Sequence, residues 1–224
     1  MPQPLMIFAA GLGTRMRPLT NTRPKPLIEV AGQTLLDRAL QLGRQAGATP
    51  VVVNTHYLGD QIADHLADCN VALSDESDLL LDTGGGLRKA LSLLGPGPVM
   101  TLNPDVIWTG SNPLTQLQAA WDDSRMDALL MLIPLAQATA RQGAGDFSLD
   151  PQGRLIRQGD FVYGGAQIIR PDRLAEIPDT VFSLNKLWDL LIADDRAFGL
   201  IHQGGWCDVG SPEAIPLAEA LLDD

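Results

Sequence analysis

The sequence predicts an α/β fold: a doubly wound sheet, mixed but mainly parallel, with helices on both of its faces. Almost wholly apolar runs at residues 51–53 and 128–135 are typical of strands that are buried on both sides. Between such runs, apolar residues recur at helical spacing, so strands and helices alternate as this architecture requires. Because 45% of the 224 residues are hydrophobic and 19% are charged, the chain can bury a substantial core. We expect a single domain over residues 1–224.

In the first half of the chain, the first strand is expected at residues 5–10, an apolar run. Thr34, with Asp37 three residues later, is the pattern that begins a helix, and Gly47 is a suitable residue to end it. The β-branched residues 51–53 form the next strand. A helix at 58–66, a strand at 70–74, a helix at 83–94 and a strand at 99–103 complete this half.

The second half departs from strict alternation. A helix at 114–121 precedes the apolar run 128–135, which is expected to be a central strand. A hairpin at 147–156, built around the turn Asp150-Pro-Gln-Gly153, and a strand at 163–169 follow. Helices near 184–193 and 211–222 enclose a last strand at 198–202.

Ligands of open α/β sheets bind beyond the carboxyl ends of the strands. Four segments of this sequence occupy that position, namely 11–25, 54–56, 82–85 and 103–105, and Asp208 is expected to follow the last strand. We therefore expect the functional residues in these segments.

A glycine-rich loop after the first strand is the most informative of them. Gly11 and Gly13 allow the backbone to turn sharply and to present N–H groups to an anion. Cations follow within a few residues, at Arg15, Arg17, Arg23 and Lys25. They are four of only 16 basic residues in a chain of formal net charge -11, so the local field attracts an anion that the chain as a whole repels. The loop predicts a phosphate site.

Two well-known phosphate-binding loops are excluded. A dinucleotide-binding loop requires G-x-G-x-x-G at the start of a helix, but Met16 occupies the third glycine position and Pro18 interrupts the helix. The acidic residue of that motif is also missing, because Asn54 follows the strand at 51–53. The glycines at 84–86 do not fit the P-loop pattern G-x-x-x-x-G-K-[ST].

A family signature occupies the loop and the residues after it: Ala10-Gly-Leu-Gly-Thr-Arg-Met-Arg-Pro-Leu-Thr20, then Pro24-Lys25-Pro26. It resembles that of the sugar-nucleotide pyrophosphorylases, and nearly the whole chain is similar to one branch, the short bacterial N-acetylmuramate 1-phosphate uridylyltransferases. The resemblance implies a Rossmann-like sheet of the glycosyltransferase-A type. It also implies that a nucleoside triphosphate, here UTP, reacts with a sugar 1-phosphate, here N-acetylmuramate 1-phosphate, and releases pyrophosphate. The C-terminal β-helix acyltransferase domain of longer relatives is not expected.

The resemblance assigns roles to individual residues. Arg15 and Lys25 are catalytic: Arg15 forks onto the β- and γ-phosphates, and Lys25 contacts the phosphates in the transition state. Asp105 and Asp208 hold Mg²⁺, which prefers hard oxygen ligands. The nucleotide contacts are Gly11, Leu12, Gly13, Asp82, Thr83 and Gly84, and the substrate contacts are Asn103, Gly145, Asp146 and Gly165.

Several alternatives stay open at this stage. The glycines at 84–86 also suit a helix that starts where close packing is needed, and Arg17 and Arg23 also suit solvated loop charges. Pro104 stands where the family usually has glycine: either it only stiffens the loop, or it displaces Asp105 and leaves a catalytically silent nucleotide-binding homologue. A family member that uses another sugar phosphate or choline phosphate is the remaining alternative.

Other features limit the partners and the location. The net charge of -11 argues against nucleic acid, and no apolar run approaches the ~20 residues of a membrane span. Cys69 and Cys207, without secretory features, indicate reduced thiols in a cytoplasmic protein. His56, His65 and His202 are too scattered for a metal site, and His65 is expected on the apolar face of its helix. A monomer or a small homo-oligomer is expected.

Overall fold

The computed structural model describes residues 2–223. Its strands, in chain order, are β1 (Leu5–Phe8), β2 (Glu29–Val30), β3 (Gln33–Thr34), β4 (Val51–Thr55), β5 (Ala72–Asp75), β6 (Val99–Leu102), β7 (Val106–Trp108), β8 (Ala128–Pro134), β9 (Gly145–Leu149), β10 (Leu155–Gly159), β11 (Phe161–Ile169), β12 (Ala197–Ile201) and β13 (Trp206–Asp208). Nine of these strands form one mixed sheet, while β2 with β3 and β7 with β13 form two separate ribbons.

Six α-helices accompany the strands within residues 2–223: α1 (Leu35–Gln45), α2 (Gly59–His65), α3 (Asp82–Leu94), α4 (Pro113–Ala120), α5 (Asn185–Ala193) and α6 (Ala214–Asp223). Short 3-10 turns lie at Thr14–Met16, Leu19–Asn21, Lys25–Leu27, Leu135–Gln137 and Asp172–Glu176. None of the helices within residues 2–223 is both long enough and apolar enough to cross a lipid bilayer.

The predicted fold class is confirmed. Each expected strand of the main sheet and each expected helix occurs, with shifted boundaries: β5 lies at Ala72–Asp75 rather than 70–74, and α6 begins at Ala214 rather than 211. The strands of the two ribbons were not predicted. Segments of two or three residues are too short to show the alternation of apolar and polar side chains by which a strand is recognised.

The parallel half of the sheet is centred on β1. This strand lies between β4 and β6 and is parallel to both, and β5 extends the sheet beyond β4. Successive side chains of β1 enter opposite layers, since Leu5 and Ile7 pack in one core cluster and Met6 in the other. All three are fully buried, which explains why the run is apolar without alternation.

The other half of the sheet is organised by β11, which is antiparallel to both β6 and β8. As expected, 128–135 forms an interior strand: β8 is paired on both sides, with β11 and with β12, and lies second from that end of the sheet. The pairing of β11 shifts register between Tyr163 and Gln167. Gly165 has φ +93° at this bulge, a conformation that favours glycine, and the bulge faces the cleft described below.

The ribbon of β7 and β13 places the two aspartates that the sequence assigned to a metal. Asp105 immediately precedes β7, and Asp208 is the last residue of β13, opposite Val106. Asp208 was expected to follow the last strand. It does come after β12, which ends at Ile201, but it is the last residue of a further short strand that was not predicted. Another backbone bond, from Val209 N to Asp105 O at 2.9 Å, closes this end of the ribbon.

Helix α1 begins at the predicted cap. Thr34 Oγ1 accepts a hydrogen bond from Asp37 N at 3.0 Å and donates to Asp37 Oδ2 at 2.7 Å, and Gly47 follows the helix with φ +66°. The prediction for His65 is wrong. It is exposed, with Nε2 2.9 Å from Asp37 Oδ1, and the apolar face of α2 is formed by Ile62.

Replacing the cap residue should weaken the fold without touching the cleft. We expect Thr34→Ala to lower the free energy of unfolding by about 1 kcal/mol, because one helical N–H loses its acceptor. Thr180→Ala is the control, since Thr180 is exposed and forms no side-chain hydrogen bond within the described residues. Urea denaturation measures both. Equal stability of the two variants would mean that the cap contributes nothing.

Candidate active site

The glycine loop leaves β1 and folds back onto the 3-10 turn that begins at Lys25. Gly13 has φ +60°, and a Cβ there would lie 3.0 Å from Lys25 Cβ and from Thr20 Cγ2. Thr20 Oγ1 also donates to Gly13 O at 2.8 Å. Gly13 is thus required by conformation and by close approach, whereas Gly11 and Leu12 are exposed, with open space around Gly11.

A buried polar network supports the loop from below. Asn54 Oδ1 accepts from Ala9 N at 2.7 Å, and Asn54 Nδ2 donates to Glu76 Oε1 at 2.7 Å. Glu76 has no exposed surface, and its Oε2 accepts from Leu81 N at 2.9 Å. The network joins the ends of β1, β4 and β5. It forms because buried polar atoms need hydrogen-bond partners. The predicted segment 54–56 therefore serves mainly as support, and Glu76 was missed because nothing in the sequence separates it from its acidic neighbours.

The two aspartates line one cleft. Burial, and next the charge of Asp105, raise the pKa of the Asp208 carboxyl, while Lys25, Arg15 and Arg141 act in the opposite direction. The effect of Asp105 on the pKa of Asp208 indicates that the two carboxylates are close enough to repel each other.

Cations surround this pair. Lys25 Nζ lies 2.6 Å from Asp105 Oδ2, and both side chains are more than two-thirds buried. The Arg15 guanidinium packs on the backbone after Asp208, where a Cβ on Gly210 would be 3.0 Å from Arg15 Nη1. Arg17 is exposed, and Arg23 pairs with Glu29 across 3.7 Å on the surface. Of the loop cations, Lys25 and Arg15 are therefore the two that reach the carboxylates.

Two cavities meet beside the aspartates. The first, of about 320 Å³, lies toward β11 and α5, and the second, of about 450 Å³, lies beneath the glycine loop. The residues that line both are Phe8, Asp82, Thr83, Asn103 and Asp105. Two ligands bound in the two cavities would thus meet at Asp105.

The segment from Asp82 to Gly84 begins α3 at this junction. Asp82 has φ +59° and accepts from Thr83 N at 2.6 Å, and Thr83 Oγ1 accepts from Leu184 N at 3.0 Å. Gly84 is buried, its N–H donates to Phe182 O at 2.9 Å, and a Cβ would overlap the Phe182 ring. Close packing therefore accounts for Gly84, and its N–H is not free for a nucleotide. Asp82 and Thr83 do face the cavities.

The predicted substrate residues differ in whether they line the two cavities. Asn103 lines both cavities and its N–H donates to Gly165 O at 2.7 Å. Asp146 lines the first cavity, but Oδ2 already accepts from Tyr163 N at 2.9 Å. Gly145 lies outside the lining of both cavities, and a Cβ there would collide with the carbonyl oxygen of Gly159. The pairing of β9 with β10 therefore explains why residue 145 is a glycine.

Pro104 is buried and does not remove Asp105 from the cleft. Pro104, Lys25 and Asp105 together line a small adjoining pocket of about 70 Å³. This geometry favours the first of the two interpretations of Pro104, in which it only stiffens the loop.

Several residues of the first cavity were not predicted as functional. They are Arg141, Arg157, Tyr163, Trp188 and Trp206. In sequence each is an isolated residue outside a recognisable motif, and only the tertiary structure brings them around one cavity.

The chain matches a family of known proteins. The model of the MobA-like NTP transferase domain matches residues 5–138, which include the glycine loop, Lys25, Asp82 and Asp105. The chain belongs to this family. It is therefore a nucleotidyltransferase, in agreement with the resemblance found in the sequence.

Curated relatives extend the similarity over the whole chain. N-acetylmuramate alpha-1-phosphate uridylyltransferase of Caulobacter vibrioides is 42% identical over 99% of this chain and 97% of its own length. The enzyme of the same name from Neisseria meningitidis serogroup B is 37% identical, over 96% of each chain. Among solved structures, a putative glucose-1-phosphate thymidylyltransferase from Bacillus anthracis covers 99% of this chain, 96% of its own, with a TM-score of 0.82 and 15% identity. The last match shows a shared fold.

The raised pKa of Asp208 predicts a stability effect. A carboxyl whose folded pKa lies above its unfolded pKa destabilises the fold where it is ionised. We therefore expect Asp208→Asn to raise the melting temperature at pH 7 in EDTA, and the gain to disappear at about pH 3, where the carboxyl is protonated in both states.

Asp105→Asn is the matched control for this measurement. It removes the same charge but also the 2.6 Å contact with Lys25, so its melting temperature at pH 7 should fall below that of Asp208→Asn. A large loss of stability in Asp208→Asn at pH 7 would instead show that the carboxylate supports the fold.

Proposed function

We propose that the protein is an N-acetylmuramate 1-phosphate uridylyltransferase, which joins UTP to N-acetylmuramate 1-phosphate and releases pyrophosphate. One observation carries the proposal: Arg15, Asp105 and Asp208 line the first cavity, Asp105 also lines the second, and Lys25 contacts Asp105 at 2.6 Å. The near-full-length similarity to two uridylyltransferases supports the choice of substrates.

In the proposed reaction, a phosphate oxygen of the sugar 1-phosphate attacks the α-phosphorus of UTP and the bond to pyrophosphate breaks. The second cavity takes the nucleoside and the first takes the sugar. Lys25 and Arg15 neutralise charge on the phosphates as they rearrange, with Arg15 placed to fork onto the leaving pyrophosphate. The protein mainly positions the reactants, because in-line attack depends on alignment.

Asp105 and Asp208 fit a Mg²⁺ site. They supply hard carboxylate oxygens, and a cation would offset both the burial and the charge of Asp105 that raise the pKa of Asp208. No cluster of three or more potential ligand side chains occurs within residues 2–223, which suits an ion that keeps waters and phosphate oxygens in its other positions. When bound, the ion would supply charge neutralisation at the phosphates.

Lys25 has to change partners in this scheme. Its ammonium contacts Asp105 at 2.6 Å, and a triphosphate offers it more negative charge than one carboxylate does. We infer that the contact holds Lys25 in the cleft and lowers the repulsion between the aspartates until the substrates bind.

The product and the setting belong to the same proposal. UDP-N-acetylmuramic acid made this way would serve the recycling of peptidoglycan in the cytoplasm. The free thiols of Cys69 and Cys207 are consistent with that setting. The partners are the two substrates, with no nucleic acid or membrane, and the protein acts as a monomer or a small homo-oligomer.

Substitution of either catalytic cation should abolish most of the turnover. We expect Arg15→Ala and Lys25→Ala each to lower kcat by about 10²- to 10⁴-fold, as the loss of transition-state charge stabilisation does. Arg23→Ala, which removes an exposed loop arginine paired with Glu29, should retain activity within about threefold. Pyrophosphate release from UTP and the sugar phosphate measures all three. Near-normal turnover in a cleft variant would remove that residue from the mechanism.

The metal proposal has its own test. Asp105→Asn and Asp208→Asn should each reduce Mg²⁺-dependent pyrophosphate release to background, since each removes one charged ligand of the same ion. Loss in only one variant would contradict a shared site. Wild-type protein that binds UTP but releases no pyrophosphate with any of a panel of sugar 1-phosphates would show a silent homologue instead.

A further inference from the structure

The first cavity has a cation on the wall away from the glycine loop. Arg157, on β10, lines the cavity beside Asn185, at the start of α5. By contrast, Arg15 lies on the backbone just after Asp208, where a Cβ on Gly210 would be 3.0 Å from Arg15 Nη1, and Arg141 pairs with Asp146 at 3.3 Å. The cavity therefore offers positive charge in two places, and only one of them is needed for a phosphate at the reaction centre.

Arg157 is held in a fixed position. Its Nε lies 2.8 Å and its Nη2 2.7 Å from Asp189 Oδ1, and Nη1 donates to Asn185 Oδ1 at 2.9 Å. The guanidinium also lies over the rings of Phe147 and Trp188, at 4.9 Å and 5.7 Å. A cation whose position is fixed before a ligand arrives loses little conformational freedom on binding.

This arginine can still bind another anion. A guanidinium has five N–H groups, and one N–H of Nη1 has no acceptor among residues 2–223. The side chain of its partner Asp189 is 61% exposed, so water screens that ion pair. The surrounding aromatic wall, which includes Trp188 and Tyr163 at 4.8 Å between ring centroids, suits the apolar face of a sugar ring.

The proposed substrate has two anionic groups, a phosphate on C1 and the carboxylate of its lactyl ether. This step rests on the proposed function. With the phosphate beside the aspartates, the sugar ring extends along the first cavity toward the aromatic wall. We propose that Arg157 binds the lactyl carboxylate and so forms a carboxylate subsite that selects muramate over hexosamine phosphates without the lactyl group.

The test varies the carboxylate and the arginine together. N-acetylmuramate 1-phosphate is compared with its lactyl methyl ester, which removes the charge and adds one methyl group. For the wild-type protein we expect kcat/KM to be on the order of 10- to 100-fold higher for the acid, as a charge-assisted hydrogen bond predicts. In Arg157→Gln the ratio should fall to about one.

Arg141→Gln is the matched control. Arg141 lines the same cavity, beside Asp146 at 3.3 Å, but near the phosphate, which acid and ester share. It should lower kcat/KM for both compounds and preserve their ratio. Melting temperatures identify a variant that fails to fold, and the wild-type comparison of acid with ester needs no variant.

The outcomes separate two failures. If the wild-type protein releases no pyrophosphate from UTP with either compound, the proposed function fails. If it uses acid and ester equally well, or if Arg157→Gln keeps the wild-type ratio, the carboxylate subsite is overturned while the proposed function stands, and Arg157 is only a tie between β10 and α5.

Discussion

Repulsion between Asp105 and Asp208 is the interaction that the rest of the site has to accommodate. The ribbon of β7 and β13 fixes both carboxylates in one cleft, where burial and the charge of Asp105 raise the pKa of Asp208. Such an arrangement costs stability unless a cation is present. Lys25 supplies one in the described structure, at 2.6 Å from Asp105, and the proposed Mg²⁺ and substrates would replace it. In the proposed mechanism, Mg²⁺ would lie at the two carboxylates and the phosphates would lie next to it.

The glycine loop and the turn after it bring cations close to these carboxylates. Gly13 lets the loop lie on the turn that carries Lys25, and the loop is held by the buried network of Asn54 and Glu76. A rigid support matters because charge stabilisation in a transition state depends on groups that are already in place. A net charge of -11 also makes the location of these few cations decisive, since elsewhere the surface repels phosphate.

The two halves of the sheet divide the proposed work. The parallel half carries the glycine loop and the proposed catalytic cations Arg15 and Lys25, and it lies within residues 5–138, which match the family model. The antiparallel half, with β9 to β11 and α5, forms the wall of the first cavity that contains Arg157 and Trp188. The proposed catalytic residues and the proposed sugar-selecting residues can therefore be substituted separately, because they lie on different elements of one fold.

The sequence by itself determined the fold class, the elements of the main sheet and the helices, because hydrophobic periodicity and caps such as Thr34 are local properties. It also indicated the phosphate loop, Lys25 and both aspartates, which lie in or near short motifs. Only the tertiary structure decided that Asp208 lies on a separate ribbon, that Gly84 is a packing residue, and that Glu76 supports the loop. It alone placed Arg157 beside Trp188 in the cavity. These facts depend on contacts between distant segments, and an isolated glycine, glutamate or arginine has the same appearance in sequence whichever neighbours the fold gives it.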